Sequence, residues 1–127
     1  MKAVRIESHG GPEVIALTEV ETREPGPHQV RVRNYAIGVN FIDVYHRTGL
    51  YKNALPMGLG LEGAGIVEAV GADVTRFKAG DRITYASGPI GAYAETHVAS
   101  ETQAVKLPDA IAFDIAAAAL LKGMTAR

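Results

Sequence analysis

Glycine and proline recur along the whole of this 127-residue chain, and they limit the length of the segments between them. The 14 glycines and six prolines are not pooled in one linker. Many of them stand in turn-forming clusters, which separate short apolar or alternating segments. These clusters are Gly10-Gly11-Pro12, Pro25-Gly26-Pro27, Gly71-Ala72-Asp73, Ala79-Gly80-Asp81 and Ser87-Gly88-Pro89. The pattern therefore predicts many short strands joined by tight turns.

Seven segments between the turns have the alternation and the β-branched content that are typical of strands. They are Lys2 to Glu7, Val14 to Val20, Gln29 to Val39, Gly65 to Val70, Asp81 to Tyr85, Ala92 to Val98 and Ala104 to Lys106. They do not alternate with helices in a βαβ rhythm, which disfavours a parallel sheet. We therefore expect a mainly β chain, a β-rich α+β fold, built as a barrel or a sandwich.

Two segments are predicted to be helical. In residues 41–48, apolar and aromatic side chains lie at i, i+3 and i+4, and Gly49 follows as a left-handed stop. Asn40 would be the N-cap, and Asp43 at the third helical position approximates a capping box, which gives both side chains a structural explanation. Residues 113–122 are alanine-rich and should form a helix that ends at Gly123. A helix so near the end of a chain normally packs against something, so we expect this chain to be truncated.

Composition removes several functional classes. Thirteen Lys and Arg against 14 Asp and Glu give a net charge of −1 without long runs of one sign, which disfavours a nucleic-acid surface. No segment approaches the roughly 18 apolar residues of a spanning helix, and no secretory signal is recognisable. We expect a cytoplasmic protein with no nucleic-acid and no membrane partner. Because the chain has no cysteine, disulfides, thiolate nucleophiles and Cys-ligated zinc are excluded.

The segment Gly58-Leu-Gly60-Leu-Glu-Gly63 matches the G-x-G-x-x-G pattern of dinucleotide-binding loops. That mechanism needs a strand before the glycines and a helix N-terminus after them. Residues 53–56 do not form a strand pattern, and residues 64–70 are strand-like. We therefore interpret these glycines as turn and close-packing residues.

Other reactive side chains form no recognisable site. The four histidines have no metal-ligand spacing, and the serines lack the glycine-flanked elbow of a hydrolase nucleophile. Tyr45 and Tyr51 can be explained as core aromatic residues whose hydroxyl groups lie at the edge of the core. From the residues alone, the active site is not self-evident.

A set of longer motifs resembles the quinone oxidoreductase branch of the medium-chain dehydrogenase/reductase superfamily. The leading motif is the run Gly38-Val-Asn-Phe-Ile-Asp-Val-Tyr-His-Arg-Thr-Gly-Leu-Tyr51. The others follow in the family's order: Gly60-Leu-Glu-Gly-Ala-Gly-Ile-Val-Glu-Ala-Val-Gly71, Phe77-Lys-Ala-Gly-Asp-Arg82, Gly91-Ala-Tyr-Ala-Glu95 and Leu121-Lys-Gly-Met-Thr125. The resemblance covers essentially the whole chain.

The resemblance implies a domain organisation. In this superfamily a GroES-like catalytic domain, a partly open β-barrel with a few short helices, is joined to a Rossmann domain that carries the nucleotide fingerprint. Residues 1–127 would correspond to the GroES-like domain, and the Rossmann nucleotide-binding domain would be absent from this chain.

The resemblance also implies that no metal is bound. Alcohol dehydrogenases of the superfamily hold catalytic zinc with a cysteine and a histidine. The aligned motifs place Asn40 at the cysteine position and Leu61 at the histidine position, while Glu62 keeps the family's glutamate. Leucine cannot ligate a metal, and asparagine is a poor zinc ligand.

The implied activity is an NADPH-dependent quinone oxidoreductase that works without zinc. Asn40, Tyr45 and Tyr51 would be catalytic, and Asn40, Tyr45 and Thr125 would contact NADPH, which the missing domain would mainly bind. The implied partners are a quinone substrate, the chain's own Rossmann domain and, at full length, a second copy in a homodimer. The 127-residue chain alone would be inactive. The alternatives are a zinc-free enoyl or alkenal reductase domain and a non-catalytic GroES-like binding module.

Overall fold

The computed structural model describes the backbone of residues 1–125 and the side chains of residues 1–123. Eight strands and two α-helices account for most of its regular structure. The strands are β1 (Lys2–Ile6), β2 (Ala16–Glu19), β3 (Gln29–Gly38), β4 (Met57–Gly58), β5 (Glu62–Val70), β6 (Arg82–Ala86), β7 (Thr96–Ser100) and β8 (Ala104–Lys106). The helices are α1 (Phe41–Thr48) and α2 (Phe113–Thr125), with short 3-10 helices at Pro12–Val14 and Glu101–Gln103.

The strands form two antiparallel sheets. One has five strands in the order β7-β3-β5-β6-β8, and the other has three in the order β2-β1-β4. The register between β3 and β5 shifts at Arg31/Val32 and at Asn34/Ala36, irregularities that increase local twist. Within residues 1–125 the sheets do not close on each other, so the expected mainly β, GroES-like, partly open architecture is confirmed.

Apolar side chains cover both faces of the five-stranded sheet. One face carries the main core, which includes Val30, Val32, Val67, Ile83 and Tyr85. The other face packs against α2 through a smaller cluster that includes Ala64, Ala116 and Ala117. Small side chains at this second contact let the helix approach the sheet closely. That close approach brings the end of α2 to the edge where β5 begins.

The expected strand Ala92 to Val98 is wrong in its bounds. Residues 92–94 instead lie against the smaller sheet, where Tyr93 N–H donates to the Leu59 carbonyl at 2.9 Å and its carbonyl accepts from Val4 N–H at 2.8 Å. The Glu95 carbonyl then accepts from Asn34 N–H of β3 at 2.9 Å, and β7 begins at the next residue, Thr96. One alternating segment is thus divided between two sheets, because its backbone groups find partners in both.

Smaller differences have local causes. The predicted strand from Val14 begins at Ala16, because Pro12 starts a 3-10 turn that includes Val14. The two-residue strand β4 was not predicted, since two residues are too few to show periodicity. Helix α2 continues through Gly123 to Thr125 instead of ending at the glycine. No helix in the described part of the chain is long and apolar enough to cross a membrane.

Candidate functional site

Helix α1 forms where the sequence predicts it, and local signals define both of its ends. Asn40 and Asp43 form a capping box, in which the Asn40 backbone N–H donates to Asp43 Oδ2 at 3.1 Å. At the other end Gly49 has φ +86°, a left-handed conformation that glycine adopts without strain. The next residues fold back, and Tyr51 N–H donates to the Tyr45 carbonyl at 3.3 Å.

This turn assembles an aromatic cluster of Phe41, Tyr45 and Tyr51. The rings of Phe41 and Tyr45 lie 5.4 Å apart between centroids, and so do those of Tyr45 and Tyr51, both in edge-to-face arrangements. Phe41 is 72% exposed and Tyr51 is 50% exposed. The cluster therefore presents apolar ring surface and a phenol group to the outside of the domain.

The Asn40 side chain lies between charged groups from two other elements. Its Nδ2 donates to Oε1 of Glu62, the first residue of β5, at 2.9 Å. Its Oδ1 accepts from Nζ of Lys122, in α2, at 3.0 Å. Lys122 Nζ also lies 4.0 Å from Glu62 Oε1. These three residues form one polar group, called here the Asn40–Glu62–Lys122 cluster.

Glu62 is the buried member of this cluster, with 0% of its surface exposed. Burial of a carboxylate is costly unless its oxygens are hydrogen-bonded or paired with a cation. Here Oε1 accepts from Asn40, and Oε2 accepts from the backbone N–H of Leu121 at 2.7 Å. Glu62 therefore joins α2 to the segment that precedes α1.

Asp43 has a different environment on the inner side of α1. It is 5% exposed, and its Oδ2 accepts hydrogen bonds from Asn40 N–H and from the Tyr93 hydroxyl. Burial, together with this carboxylate, raises the pKa of Tyr93, which favours the protonated phenol as the donor to Asp43. Asp43 thus ties α1 to residues 92–94 and has a structural function.

Two grooves lie on other parts of the domain surface. One, of about 570 Å³, is largely apolar and is lined by residues of β3, among them Tyr35 and Ile37. The other, of about 820 Å³, is lined by residues of β1, β4 and β7 and the segments beside them. Neither is lined by Asn40, Tyr45 or Tyr51. Asn40 and Tyr45 are half-buried, whereas Tyr51 is half-exposed.

The family assignment rests on a match that spans more than half of the chain. Residues 26–109 match the model of the alcohol dehydrogenase GroES-like domain. The chain belongs to the alcohol dehydrogenase GroES-like domain family. This matched range contains α1, the Asn40 and Glu62 side chains and both tyrosines of the aromatic cluster.

Relatives of the GroES-like domain include quinone oxidoreductases, as the sequence motifs imply. The chain is 58% identical over 125 residues, 98% of its length, to a quinone oxidoreductase of Pseudomonas aeruginosa, and it covers 38% of that protein. It is also 41% identical over 131 residues, 98% of this chain, to a 2-haloacrylate reductase of a Burkholderia species, and it covers 39% of that protein.

Solved structures support the same relationship. A quinone oxidoreductase from Pseudomonas syringae superposes with a TM-score of 0.96 at 56% identity, over 98% of this chain and 38% of that one. The Escherichia coli quinone oxidoreductase complexed with NADPH superposes with a TM-score of 0.97 at 47% identity, over 98% of this chain and 39% of that one. The chain thus spans about 38% of the length of the quinone oxidoreductase sequences that it matches.

The side chains at the aligned zinc positions do not suit a metal. Leu61 is buried and offers only carbon atoms, and both polar atoms of the Asn40 side chain already have hydrogen-bond partners. Among the described residues, no group of three His, Asp or Glu side chains is arranged to hold a metal ion.

The structure brings the rings of Tyr45 and Tyr51 into contact, whereas the Asn40 side chain contacts Glu62 and Lys122. Asn40, Tyr45 and Tyr51 belong to one helix-and-turn segment, as their spacing predicts. The side chain of Thr125 lies outside the described residues. Sequence reasoning did not single out Lys122 or Tyr93, although both lie inside motifs that carry the family resemblance. Gly58 to Gly63 runs from β4 into β5, so the prediction that a strand and not a helix follows the glycines is confirmed.

Proposed function

We propose that residues 1–127 form the substrate-side catalytic domain of an NADPH-dependent quinone oxidoreductase. A Rossmann domain completes the active site in the full-length protein and faces the wall formed by Asn40, Tyr45 and Tyr51. The 58% identity to a quinone oxidoreductase and the NADPH complex of a related structure support this proposal.

The observation that carries the proposal is the aromatic cluster of Phe41, Tyr45 and Tyr51, which starts at the residue after Asn40. A quinone is flat and apolar across its ring, and its oxygens gain negative charge during reduction. The exposed rings of Phe41 and Tyr51 offer apolar surface, while the amide and phenol groups offer hydrogen-bond donors. This combination fits an acceptor that needs orientation and oxygen stabilisation.

The proposed reaction does not require zinc. A metal would polarise the oxygen of a poorly reactive alcohol or carbonyl, whereas a quinone is already a strong electron acceptor. The residues at the aligned zinc positions support this view, since Leu61 has no donor atom and Asn40 is held by Glu62 and Lys122.

NADPH supplies the reducing equivalents when bound, and this domain contacts only part of it. A phosphate favours a helix N-terminus with free N–H groups, but the first turns of α1 and α2 contain Asp43 and Asp114. The glycines of residues 58–63 belong to strands β4 and β5 and to the turn between them. Asn40 and Tyr45, with Thr125, would therefore border the nicotinamide, and the phosphates would be held by the other domain.

One observation favours a second candidate function. The chain is 41% identical to a 2-haloacrylate reductase, and it superposes on a 2-haloacrylate reductase structure with a TM-score of 0.88. A reductase of an activated carbon–carbon double bond needs the same nicotinamide and the same donors to the substrate oxygen. Full-length protein assayed with NADPH and either a benzoquinone or a 2-haloacrylate separates the two activities by their kcat/KM values.

The test of the site uses Asn40→Ala and Tyr51→Phe in the full-length protein. Each should lower kcat/KM for quinone reduction by about tenfold, the effect of losing one transition-state hydrogen bond of about 1.4 kcal/mol. Steady-state assays in the presence of a metal chelator provide the measurement. Wild-type activity should be unchanged by the chelator.

Tyr35→Phe is the matched control, because Tyr35 is an exposed tyrosine on β3 whose ring packs against Phe113. This variant should keep kcat/KM within about twofold of wild type. Melting temperatures are measured for all three variants, since Asn40→Ala also removes a helix cap worth about 1 kcal/mol. Folded Asn40→Ala and Tyr51→Phe variants with wild-type kinetics would contradict the proposed site.

A further inference from the structure

We propose that Glu62, assisted by Lys122, is a positioning residue that fixes the orientation of the Asn40 amide toward the ligand. This inference rests on the proposed function for its kinetic consequence, and on the geometry of the Asn40–Glu62–Lys122 cluster for its structural basis. Glu62 does not need to touch the substrate or the cofactor, because it acts through Asn40.

An asparagine side chain can be turned over with little change in shape. Rotation of the amide by 180° exchanges its acceptor oxygen and its donor nitrogen, which are nearly equal in size. An unrestrained Asn40 would therefore offer a ligand either a donor or an acceptor at a given place. Recognition of a carboxamide or a developing oxyanion requires one defined arrangement.

The two charged neighbours favour the same arrangement. Nδ2 donates to the Glu62 carboxylate at 2.9 Å, and Oδ1 accepts from the Lys122 ammonium at 3.0 Å. In the turned-over amide, the oxygen would face the carboxylate and the NH₂ group would face the ammonium. Both contacts would then be repulsive in place of two charge-assisted hydrogen bonds.

The Glu62 carboxylate is itself held in place. Its Oε2 accepts from the Leu121 backbone N–H at 2.7 Å, and the residue is fully buried. Gly38 leaves the room that the carboxylate occupies, because a Cβ at this position would lie 2.6 Å from Glu62 Oε1. Glu62 is thus a rigid reference for Asn40, with no space to swing away.

Asn40 keeps unused hydrogen-bonding capacity in this orientation. An amide has two N–H donors and two acceptor lone pairs, and Glu62 and Lys122 use one of each. The second N–H of the Asn40 amide can serve a ligand in the cleft. Lys122 is 57% exposed, so its contribution is screened by solvent, and Glu62 is the stronger determinant.

A double-mutant cycle in the full-length protein tests the proposal. Glu62→Gln keeps the shape of the side chain, but its amide cannot accept from both Asn40 and Leu121. It should lower kcat/KM for quinone reduction about threefold to tenfold in the wild-type background. In the Asn40→Ala background the same substitution should have less than about a twofold effect, because there is no amide left to orient.

The matched control is Glu68→Gln, on the same strand, where the carboxylate pairs with Arg31 and Arg33 away from the site. This variant should keep wild-type kcat/KM, and melting temperatures are compared for all variants. If the effects of Glu62→Gln and Asn40→Ala multiply in the double variant, Glu62 acts independently of Asn40 and the proposal is overturned. Wild-type kinetics in folded Glu62→Gln overturn it as well.

A second measurement does not depend on activity. Full-length protein labelled with ¹⁵N-asparagine is compared by NMR with its Glu62→Gln variant. The side-chain amide resonances of Asn40 should shift and lose protection from hydrogen exchange, while those of Asn34, which donates to the Ala92 and Ala94 carbonyls, should not change. Unchanged Asn40 resonances would overturn the positioning role. Absence of quinone reduction by wild-type protein would instead refute the proposed function alone.

Discussion

His97 shows how strongly burial controls a single side chain in this domain. The residue lies in β7, is 7% exposed, and stacks on Tyr85 with 5.2 Å between ring centroids. Burial lowers its pKa to about 4, against the opposing effect of hydrogen bonds to the backbone of Pro89 and Gly91. Protonation would place a cation in the core beside the main apolar cluster. The native state therefore favours the neutral ring.

This environment predicts acid sensitivity. Between the unfolded pKa of 6.5 and the folded pKa of about 4, the unfolded chain binds a proton at His97 that the folded chain does not. The free energy of unfolding should therefore fall as the pH falls through this window, by up to about 3 kcal/mol from this residue.

Urea unfolding of wild type and His97→Gln at about pH 7 and about pH 4.5 measures this dependence. The variant should lose less stability than wild type over that interval, since it carries no ring to protonate. Equal losses in the two proteins would show that other groups account for the acid sensitivity.

At the scale of elements, the contact between β3 and α2 depends on Gly38. A Cβ at this position would lie 2.2 Å from the carbonyl oxygen of Ala117 in α2, which is too close for any side chain. Helix α2 carries Lys122 and the Leu121 N–H to the Glu62 carboxylate. Close packing at Gly38 is therefore a condition for the polar cluster, although Gly38 has no functional group of its own.

Gly38→Ala should force α2 away from the sheet. We expect a loss of about 1–3 kcal/mol in the free energy of unfolding, as for other overpacked interiors. Gly123→Ala is the matched control, because a Cβ there meets nothing within 4 Å and the residue is inside α2. That variant should gain up to about 1 kcal/mol from helix propensity. Thermal or urea unfolding measures both, and equal stabilities would refute the close-packing argument.

Helix α1 and strand β7 differ in how well their sequences predict them. For α1 the cap, the spacing of apolar residues and the stop glycine lie within ten residues, and the observed bounds agree with the prediction. For β7 the alternation of residues 92–98 is real, but the backbone pairs with two different sheets along it. Periodicity reports which face is buried and contains no information about the pairing partner.

At the scale of the whole molecule, this chain presents one wall of the proposed active site. Phe41 and Tyr51 are exposed, and neither of the two grooves described above is lined by the aromatic cluster or by Asn40. The chain covers about 38% of the length of its quinone oxidoreductase relatives. In the proposed function, tight binding of the nucleotide would therefore need protein surface beyond these residues.

The 127-residue chain alone should bind NADPH weakly. In the proposed function it would contact only the nicotinamide end of the molecule, and acidic residues occupy the first turns of both helices, where phosphates would otherwise bind. Calorimetric titration of the purified chain, with its folding verified by circular dichroism, should give a dissociation constant weaker than about 1 mM. Micromolar binding would show that the interpretation of residues 58–63 is wrong.

The sequence by itself determined the features that depend on neighbours in the chain. Turn clusters separate most of the strands, capping signals enclose α1, and the motifs identify the family. Only the tertiary structure decided how Asn40 is held, because its partners lie 22 and 82 residues away on β5 and α2. Contacts of that kind depend on sheet register and on the docking of α2 against β3 and β5, which no local spacing specifies.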